Sequence, residues 1–327
     1  MARRLSVTVE RFRLASAFTI SRGSKTEAVV VSARIEDEFG AGWGECVPYQ
    51  RYGETVEGVV ATIETVRALI EGGGSRRSLG EALAPGAARN ALDCALWDLE
   101  AKSTGRRVED MICRLPARPA ETAYTISLGT PDEMAAAAAR VSNRSLLKIK
   151  LGRDGDADRM RAVRAAAPNA RIIVDANEGW TQDNIRQNLL AAAAIRATLV
   201  EQPLPDGADE MLGAIPHPVP ICADESVHAT ADLARLCGRY DYVNLKLDKT
   251  GGLTEGVAFL REARRLGFGV MVGCMVGTSL AMAPAVLLAQ SADLVDLDGP
   301  LLLARDRPNG LSYTSSLVSP PDPSLWG

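Results

Sequence analysis

The sequence predicts an α/β protein built around a (β/α)₈, TIM-type barrel that follows a mixed α+β segment. Eight short apolar segments between residues 124 and 296 alternate with Ala- and Arg-rich helical patterns, the order expected of repeated βα units. The last seven end at residues 150, 175, 201, 224, 246, 273 and 296, so successive strands end 22 to 27 residues apart. This even spacing favours a closed barrel. An open doubly wound sheet is the rival architecture, but no Gly-x-Gly-x-x-Gly turn follows the first strand to support it.

The first 115 residues or so mix strand and helix patterns. Alternating valines predict strands around 7–9 and 29–31, and the glycines in 40–44 predict a turn. Residues 56–70 are expected to form a helix. Apolar residues at helical spacing predict a second, longer helix over 86–102 that buries one face and carries no site.

The predicted barrel strands cover 124–128, 146–150, 171–175, 199–201, 221–224, 242–246, 269–273 and 292–296. In a barrel of this kind the active site lies at the carboxyl ends of the strands. Charged residues stand there in this chain: Lys150, Asp175, Glu201, Asp224, Lys246 and Asp296.

Composition limits the kind of partner. With 327 residues, 46% of them apolar and 24% charged, and a net charge of −4, the chain resembles ordinary soluble globular proteins. Nucleic-acid binding needs a basic surface and gains no support, so a small molecule is the expected partner. Six cysteines without a Cys-x-x-Cys pair predict neither a disulfide framework nor a thiolate zinc site, and two histidines exclude a histidine-rich metal centre. A reducing, cytoplasmic setting fits this usage.

No targeting or membrane segment is expected. Charged residues such as Glu10 interrupt any N-terminal apolar stretch of signal-peptide length. The longest uncharged run, 266–292, contains several glycines and Pro284, which predict strand, loop and helix instead of a membrane span.

Lysine is scarce, since only six of the 37 Lys and Arg residues are Lys. Four of the six fall in two short apolar segments, 146–151 and 244–249. Lysine can release its proton at usable pH when its surroundings lower its pKa, whereas arginine cannot. One such segment could place lysines at a strand end by chance, but two in so lysine-poor a chain indicate chemistry.

Three carboxylates end three successive predicted strands: Asp175, Glu201 and Asp224. Side chains that offer only oxygen suit Mg²⁺. Without a cation these acids would repel one another and raise one another's pKa, so we expect a divalent metal among them. Asn177 shares a face with Asp175 through the two-residue period of a strand and is expected to be a polar neighbour of the site.

Lys150 and Lys246 end strands that are four apart in a ring of eight, so we expect them to face each other across the pocket. An amine on each side of a substrate, with a metal between, can remove a proton from one face of a carbon and return one to the other face, which inverts a stereocentre. Lowering the pKa of a lysine from about 10.4 to about 7 or 8 costs on the order of 4 kcal/mol, which nearby cations and burial can supply. Lys148, inward by the same alternation, is one such cation.

Five segments together resemble the muconate-lactonizing subgroup of the enolase superfamily, and their order and spacing make the resemblance specific. They are Lys-Ile-Lys at 148–150, Val-Asp-Ala-Asn at 174–177, Glu-Gln-Pro at 201–203, Ala-Asp-Glu-Ser at 223–226 and Asn-Leu-Lys-Leu-Asp at 244–248. The resemblance covers nearly the whole chain. Within the subgroup, Lys-Leu-Asp-Lys-Thr-Gly-Gly-Leu-Thr-Glu at 246–255 and Asp-Leu-Asp-Gly-Pro at 296–300 are similar to the dipeptide epimerases.

The resemblance implies a domain organisation. An α+β capping domain would cover 1–118, and a modified (β/α)₇β barrel with an atypical first strand–helix unit would cover 119–304. The tail, 305–327, would pack on the capping domain.

The resemblance also implies roles for the strand-end residues. Mg²⁺ is the implied cofactor, with Asp175, Glu201 and Asp224 as its ligands. Lys150 and Lys246 correspond to the two acid/base lysines, and Lys148 to the group beside the substrate carboxylate.

Three further residues are implied to bind substrate. Asp296 and Asp298 match the pair that holds the α-ammonium group of a dipeptide, a cation that two carboxylates suit; the alternative is a solvated loop after the last strand. Arg22, in Phe-Thr-Ile-Ser-Arg-Gly, matches a capping-loop arginine that binds a glutamyl side-chain carboxylate, and the nearby loop 48–54 supports this match. Taken alone, Arg22 would be a surface arginine.

The implied activity is epimerisation of a dipeptide such as L-Ala-L-Glu or L-Ala-D-Glu at the α-carbon of its second residue, through an enediolate, in the breakdown of cell-wall peptides. Other reactions of the subgroup stay open: N-acylamino acid racemisation, cycloisomerisation and the β-elimination of an o-succinylbenzoate synthase. A non-catalytic metal-dependent binding protein is the alternative of another class. No nucleic-acid or membrane partner is expected, and a homo-oligomer is left open.

Overall fold

The structure, a computed structural model, describes residues 3–152 and 154–327. Its N-terminal part is an antiparallel sheet in which β1 (Arg4–Ile20) pairs with β2 (Gly23–Asp37), and β2 with β3 (Gly40–Cys46). Helices follow in the order α1 (Val56–Thr65), α2 (Arg67–Glu71), α3 (Arg76–Ala82), α4 (Ala87–Thr104) and α5 (Val108–Ile112). The helix expected over 56–70 is therefore interrupted between α1 and α2.

The glycine-rich segment 40–44 belongs to strand β3, so the expected turn is wrong. Gly42 and Gly44 lie so close to α4 that an added Cβ would stand 2.1 Å from the carbonyl oxygen of Ala95 or Ala91, respectively. Glycine allows this close approach of strand and helix, and the sequence pattern alone does not distinguish that use from a turn.

The second part is a parallel eight-stranded sheet whose strand order follows the chain. After the short strand β4 (Ala120–Glu121), the barrel strands are β5 (Tyr124–Ile126), β6 (Leu146–Lys150), β7 (Arg171–Asp175), β8 (Leu199–Glu201), β9 (Ile221–Ala223), β10 (Tyr242–Leu245), β11 (Gly269–Gly273) and β12 (Leu294–Asp296). A hydrogen bond from the N–H of Ala123 to the carbonyl oxygen of Val295 (2.9 Å) joins the two ends of the sheet and closes the barrel.

Helices surround the barrel: α6 (Pro131–Arg140), α7 (Asp156–Ala166), α8 (Ile185–Ala194), α9 (Leu233–Leu236), α10 (Leu247–Thr250), α11 (Leu253–Arg265) and α12 (Ser279–Ala289). The last strand, β12, is followed by the 3₁₀ turn Gly299–Leu302 in place of an α-helix. The first unit is therefore regular, because β5 is followed by helix α6, whereas β8, like β12, is followed by a 3₁₀ helix (Glu210–Ala214) in place of an α-helix. Within the described ranges, every helix is too short or too polar to cross a membrane.

The inside of the barrel has an apolar floor and a charged top. Strand alternation sends every second side chain inward. Near the amino ends of the strands these side chains form an apolar cluster: Ala123, Leu146, Ile173, Leu199, Cys222, Met271 and Leu294. Two residues further along, the inward side chains are polar or charged, among them Lys148, Asp175 and Glu201, each no more than 1% exposed. The floor closes the barrel below, so a ligand can reach the charged groups only from the carboxyl ends of the strands.

The C-terminal residues contact both parts of the molecule. Strands β13 (Tyr313–Thr314) and β14 (Leu317–Val318) extend β4 into a small antiparallel sheet beside the barrel. Trp326 donates its indole N–H to the carbonyl oxygen of Cys94 on α4 (3.1 Å). Arg307 lies 2.6 Å from a carboxylate oxygen of Glu10 on β1 and 2.8 Å from one of Glu45 on β3.

Candidate active site

The charged side chains expected at the strand ends come together in one pocket at the carboxyl end of the barrel. Register pairs Lys150 with Asp175, and Asp175 with Glu201, on neighbouring strands. Asp224 and Lys246 come one residue after β9 and β10. The pocket is lined directly by Lys148, Lys150, Asp224, Lys246, Asp296 and Asp298, while Asp175 and Glu201 are fully buried among these groups.

Each carboxylate expected to bind metal is paired with a lysine. The Nζ of Lys150 lies 2.6 Å from Oδ2 of Asp175, and that of Lys246 lies 2.6 Å from Oδ2 of Asp224. The Nζ of Lys148 lies 2.6 Å from Oε2 of Glu201 and 3.1 Å from Oδ2 of Asp175. Three or more acidic, histidine or cysteine side chains do not converge as metal ligands anywhere in residues 3–152 and 154–327. A cation can therefore enter only if the lysines move away from these carboxylates.

The donor set nevertheless fits a divalent cation. Glu201 lies on the strand between those that lead to Asp175 and Asp224, and burial together with the charge of Asp175 raises the pKa of Glu201 to about 8. A positive charge bound among the three acids would offset that repulsion. Buried carboxylate oxygens are the ligands that Mg²⁺ prefers.

The same pairings set the protonation of the lysines. Burial disfavours the charged form of Lys246, but the attraction of Asp224 and Glu201 outweighs it and raises the pKa of Lys246 above its ordinary value. The pKa of Lys148 is raised in the same way, by Asp296 and Glu201 against burial. A lysine held by a free carboxylate is a poor base. A metal ion bound to the carboxylates would weaken that attraction and favour the neutral amine.

Lys249 is a site residue whose role the sequence pattern did not reveal. Its Nζ, fully buried, donates to Oδ1 and to the backbone oxygen of Asp224, both at 2.6 Å. Lys246 holds Oδ2 of the same carboxylate, so Asp224 is fixed from both oxygens. The sequence could have indicated this role only through position, because Lys249 follows Lys246 by three residues in the same lysine-bearing segment.

Asp296 and Asp298 are buried in the pocket and do not form a solvated loop. Oδ2 of Asp296 lies 2.7 Å from Nζ of Lys148, and its buried Oδ1 has no hydrogen-bond partner among the described residues. The N–H of Thr125 donates to Oδ2 of Asp298 (2.6 Å). Burial and the charge of Asp296 raise the pKa of Asp298 to about 7. Two adjacent carboxylates with an unused oxygen suit a bound ammonium group.

Arg22 lies in the turn between β1 and β2, at the mouth of the pocket. Its Nη2 is 2.7 Å from Oε1 of Glu225, and its Nη1 is 3.0 Å from Oε2 of Glu178 and 2.8 Å from the backbone oxygen of Asn177. Both terminal nitrogens are therefore occupied by the protein itself.

Lys25, near the start of β2, is a second cation of this region that the sequence pattern did not reveal. It forms no ion pair with any residue that the structure describes, and it lines both the inner pocket and the outer groove beside Arg22. Its Nζ lies 5.9 Å from the centre of the Phe18 ring, as does the Nζ of Lys150. Burial and the positive charges of Lys150 and Lys246 lower the pKa of Lys25 to about 8.

Known proteins are similar to this chain in sequence and in structure. Residues 2–113 match the N-terminal domain of mandelate racemase / muconate lactonizing enzymes, and residues 133–301 match the enolase C-terminal domain-like family. The L-Ala-D/L-Glu epimerase of Escherichia coli (strain K12) is 44% identical over 315 residues, which cover 96% of this chain and 98% of that protein. The N-acetyl-D-glutamate racemase of a Pseudoalteromonas species is also 44% identical, over 90% of this chain and 93% of that protein.

Solved structures are similar over the same extent. An enolase family member from Agrobacterium tumefaciens with homology to dipeptide epimerases, with bound sodium and L-Ala-L-Glu, is 59% identical with a TM-score of 0.98 over 99% of this chain and 100% of that one. The dipeptide epimerase from Cytophaga hutchinsonii, complexed with Mg and D-Ala-L-Val, is 26% identical with a TM-score of 0.91, and the match covers 98% of this chain and 94% of that one. With both of its parts matched and its relatives aligned over nearly its whole length, the chain belongs to the mandelate racemase / muconate lactonizing enzyme family of the enolase superfamily.

Proposed function

We propose that this protein is a Mg²⁺-dependent dipeptide epimerase, an isomerase that inverts the α-carbon of the second residue in dipeptides such as L-Ala-L-Glu and L-Ala-D-Glu. The observation that carries the proposal is the pair Lys150 and Lys246, on strand ends four apart in the ring of eight, with buried carboxylates between them. The similarity to an L-Ala-D/L-Glu epimerase and to a structure with bound L-Ala-L-Glu supports the same reaction.

The lysines divide the proton transfer. One amine takes the α-proton from one face of the carbon, and the ammonium group opposite gives a proton to the other face. Asp175, Glu201 and Asp224 would hold Mg²⁺, which would supply a Lewis acid for the substrate carboxylate. Lys148, buried between Glu201 and Asp296, places a further positive charge where the enediolate oxygens develop negative charge.

The amino end of the dipeptide would meet Asp296 and Asp298. Oδ1 of Asp296 is buried and unpaired among the described residues, and an ammonium group would satisfy it. The relative named N-acetyl-D-glutamate racemase makes racemisation of an N-acylated amino acid the second candidate. A neutral N-acyl group would leave both carboxylates without a cation in a buried site, which disfavours that candidate.

The acidic side chain of the second residue would meet Lys25. Arg22, the residue implied by the family resemblance, would join it by exchanging one of its present partners, Glu225, Glu178 or Asn177, for that carboxylate. Lys25 has no carboxylate partner among the described residues and reaches the same pocket as the acid/base lysines. An acidic ligand group would supply the missing partner.

Further features of the protein are proposed with this function. We assign the capping domain to 1–118, the barrel to 119–304 and the tail that packs on the capping domain to 305–327. The cysteine usage suits a cytoplasmic enzyme, and the substrate suits breakdown of cell-wall peptides.

The test is incubation with Mg²⁺ in D₂O, following the α-proton signal by ¹H NMR for L-Ala-L-Glu, L-Ala-D-Glu, a neutral dipeptide and N-acetyl-D-glutamate. We expect both Ala-Glu epimers to exchange and interconvert, EDTA to stop turnover and added Mg²⁺ to restore it. Full activity after rigorous chelation would rule out the metal assignment. Faster turnover of N-acetyl-D-glutamate than of the dipeptides would make the protein a racemase of N-acylated amino acids.

A further inference from the structure

One arginine of the capping turn holds two separate segments of the barrel. Nη1 of Arg22 and Oγ of Ser21 both donate to the backbone oxygen of Asn177, each at 2.8 Å. Nη2 of Arg22 lies 2.7 Å from Oε1 of Glu225, which is 2% exposed. Asn177 follows β7 and Glu225 follows β9, so the turn bridges the strands on either side of β8.

Both segments carry a proposed Mg²⁺ ligand. The N–H of Asn177 donates to Oδ1 of Asp175 (2.9 Å), so the conformation of Asn177 helps to orient that carboxylate. Asn177 has a φ of 44°, in the left-handed region, which asparagine adopts more readily than other non-glycine residues. Glu225 directly follows Asp224. Arg22 therefore contacts neither ligand, yet it holds a residue close to each.

We infer that Arg22 is a positioning residue that couples the seating of the capping turn to the metal site. With the turn seated, the segments that carry Asp175 and Asp224 are held in place, so that less rearrangement is needed to bind Mg²⁺ once the lysines have moved away. Bound Mg²⁺ in return favours the seated turn, because coupling between two sites is reciprocal. The inference rests on the proposed Mg²⁺ site and goes beyond it, since the coupling would operate before any substrate binds. Groups that hold metal ligands commonly change metal affinity by about 10- to 100-fold when they are removed.

If only the charge of Arg22 mattered, its removal would change the Mg²⁺ affinity in the opposite direction. Removing a guanidinium group beside Glu225 and Asp224 leaves more negative charge near the metal, which would tighten Mg²⁺ binding. Arg22→Gln therefore binds Mg²⁺ more weakly if Arg22 positions the ligands and more tightly if only its charge matters. Arg22→Lys retains the charge but loses the two-nitrogen fork that spans Asn177 and Glu225.

The experiment is calorimetric titration of Mg²⁺ into the full chain without substrate. We expect about tenfold weaker binding for Arg22→Gln and Arg22→Lys, at the low end of that range because Arg22 acts through Asn177 and Glu225. Lys25→Gln is the matched control, because Lys25 lies three residues after Arg22, at the start of β2, and forms no hydrogen bond or ion pair with Asn177 or Glu225. The Mg²⁺ affinity of this variant should be unchanged or higher. Hydrogen exchange of backbone amides in 18–25 should slow on Mg²⁺ addition in the original protein and not in Arg22→Lys. Circular dichroism shows whether each variant folds. If Arg22→Gln does not fold, the Mg²⁺ affinity of Arg22→Lys alone decides the test.

The outcomes separate this inference from the proposed function. Mg²⁺ binding as tight as in the original protein, or tighter, in both Arg22 variants overturns the positioning role and leaves the epimerase proposal intact. A defect confined to acidic dipeptides at unchanged Mg²⁺ affinity also overturns it, because Arg22 would then act only through the substrate side chain. Failure of the original protein to bind Mg²⁺ removes the metal site and this inference together.

Discussion

Replacing Asp298 with asparagine removes one negative charge from the pocket and leaves its shape almost unchanged. Oδ2 of Asp298 accepts a hydrogen bond from the N–H of Thr125 (2.6 Å), and an amide oxygen can accept the same bond. Asp298 is 3% exposed, so water cannot readily replace the lost carboxylate. Loss of one hydrogen bond to a charged group costs about 2 kcal/mol, or roughly a 30-fold fall in kcat/KM for a dipeptide with a free amino group.

The pH dependence should change with the same substitution. Burial and the charge of Asp296 raise the pKa of Asp298 to about 7, so this carboxyl group is neutral below that pH and ionised above it. The amino group of a dipeptide, with a pKa of about 7.7 to 8.0, is still a cation there. We expect KM for L-Ala-L-Glu to fall as pH rises from about 6 to about 7.5. Asp298→Asn should flatten that part of the profile.

The assay is steady-state kinetics on L-Ala-L-Glu and N-acetyl-L-Ala-L-Glu with the original protein and Asp298→Asn. The substitution should impair only the free dipeptide, because the acetylated one carries no ammonium group. Equal losses on both substrates would show that Asp298 supports the pocket and does not bind the amino group.

Two further predictions concern Lys25 and the packing of strand β3 against helix α4. Lys25→Gln should raise KM for L-Ala-L-Glu by about tenfold, since the side-chain carboxylate loses its cation, and should leave a neutral dipeptide such as L-Ala-L-Leu unaffected; a similar loss on both dipeptides would contradict this. Gly42→Ala should lower the free energy of unfolding by about 3 kcal/mol, because its Cβ would stand 2.1 Å from the carbonyl oxygen of Ala95. Gly80→Ala is the control: Gly80 lies inside α3 with no atom within 4 Å of the added Cβ, so this variant should be more stable by up to about 1 kcal/mol. The measurement is thermal denaturation of both variants. Equal effects of the two substitutions would refute the packing argument.

The strand ends could be predicted because each depends on a local pattern. Strands β6, β7, β8 and β11 begin and end at the expected residues, since each is a largely buried run bounded by polar residues or, in β11, by glycines. The two-residue period also places Lys148 and Lys150 on one inward face. Since parallel strands of a closed barrel end on the same side, correct strand ends were enough to gather the lysines and acids in one place.

What depends on distant parts of the chain could not be predicted. One carboxylate partner of Arg22 is Glu225, 203 residues away, and no local pattern tells which carboxylate an arginine will contact. Gly42 and Gly44 look like turn residues until α4 is packed against them. The sequence likewise does not show that Lys25 lacks an ion-pair partner among the described residues, because this depends on where every neighbouring carboxylate lies in the folded structure.

The most direct test of two opposed lysines is the loss of the α-proton signal in D₂O, run separately on L-Ala-L-Glu and L-Ala-D-Glu with Lys150→Ala and Lys246→Ala. Each variant should exchange the α-proton of one epimer, the one whose proton faces the remaining lysine, without converting it to the other. The two variants should prefer opposite epimers. Replacement of either lysine by arginine should not restore epimerisation, because arginine stays protonated and cannot act as the base. Interconversion of the epimers at the original rate by both variants would contradict the two-lysine mechanism.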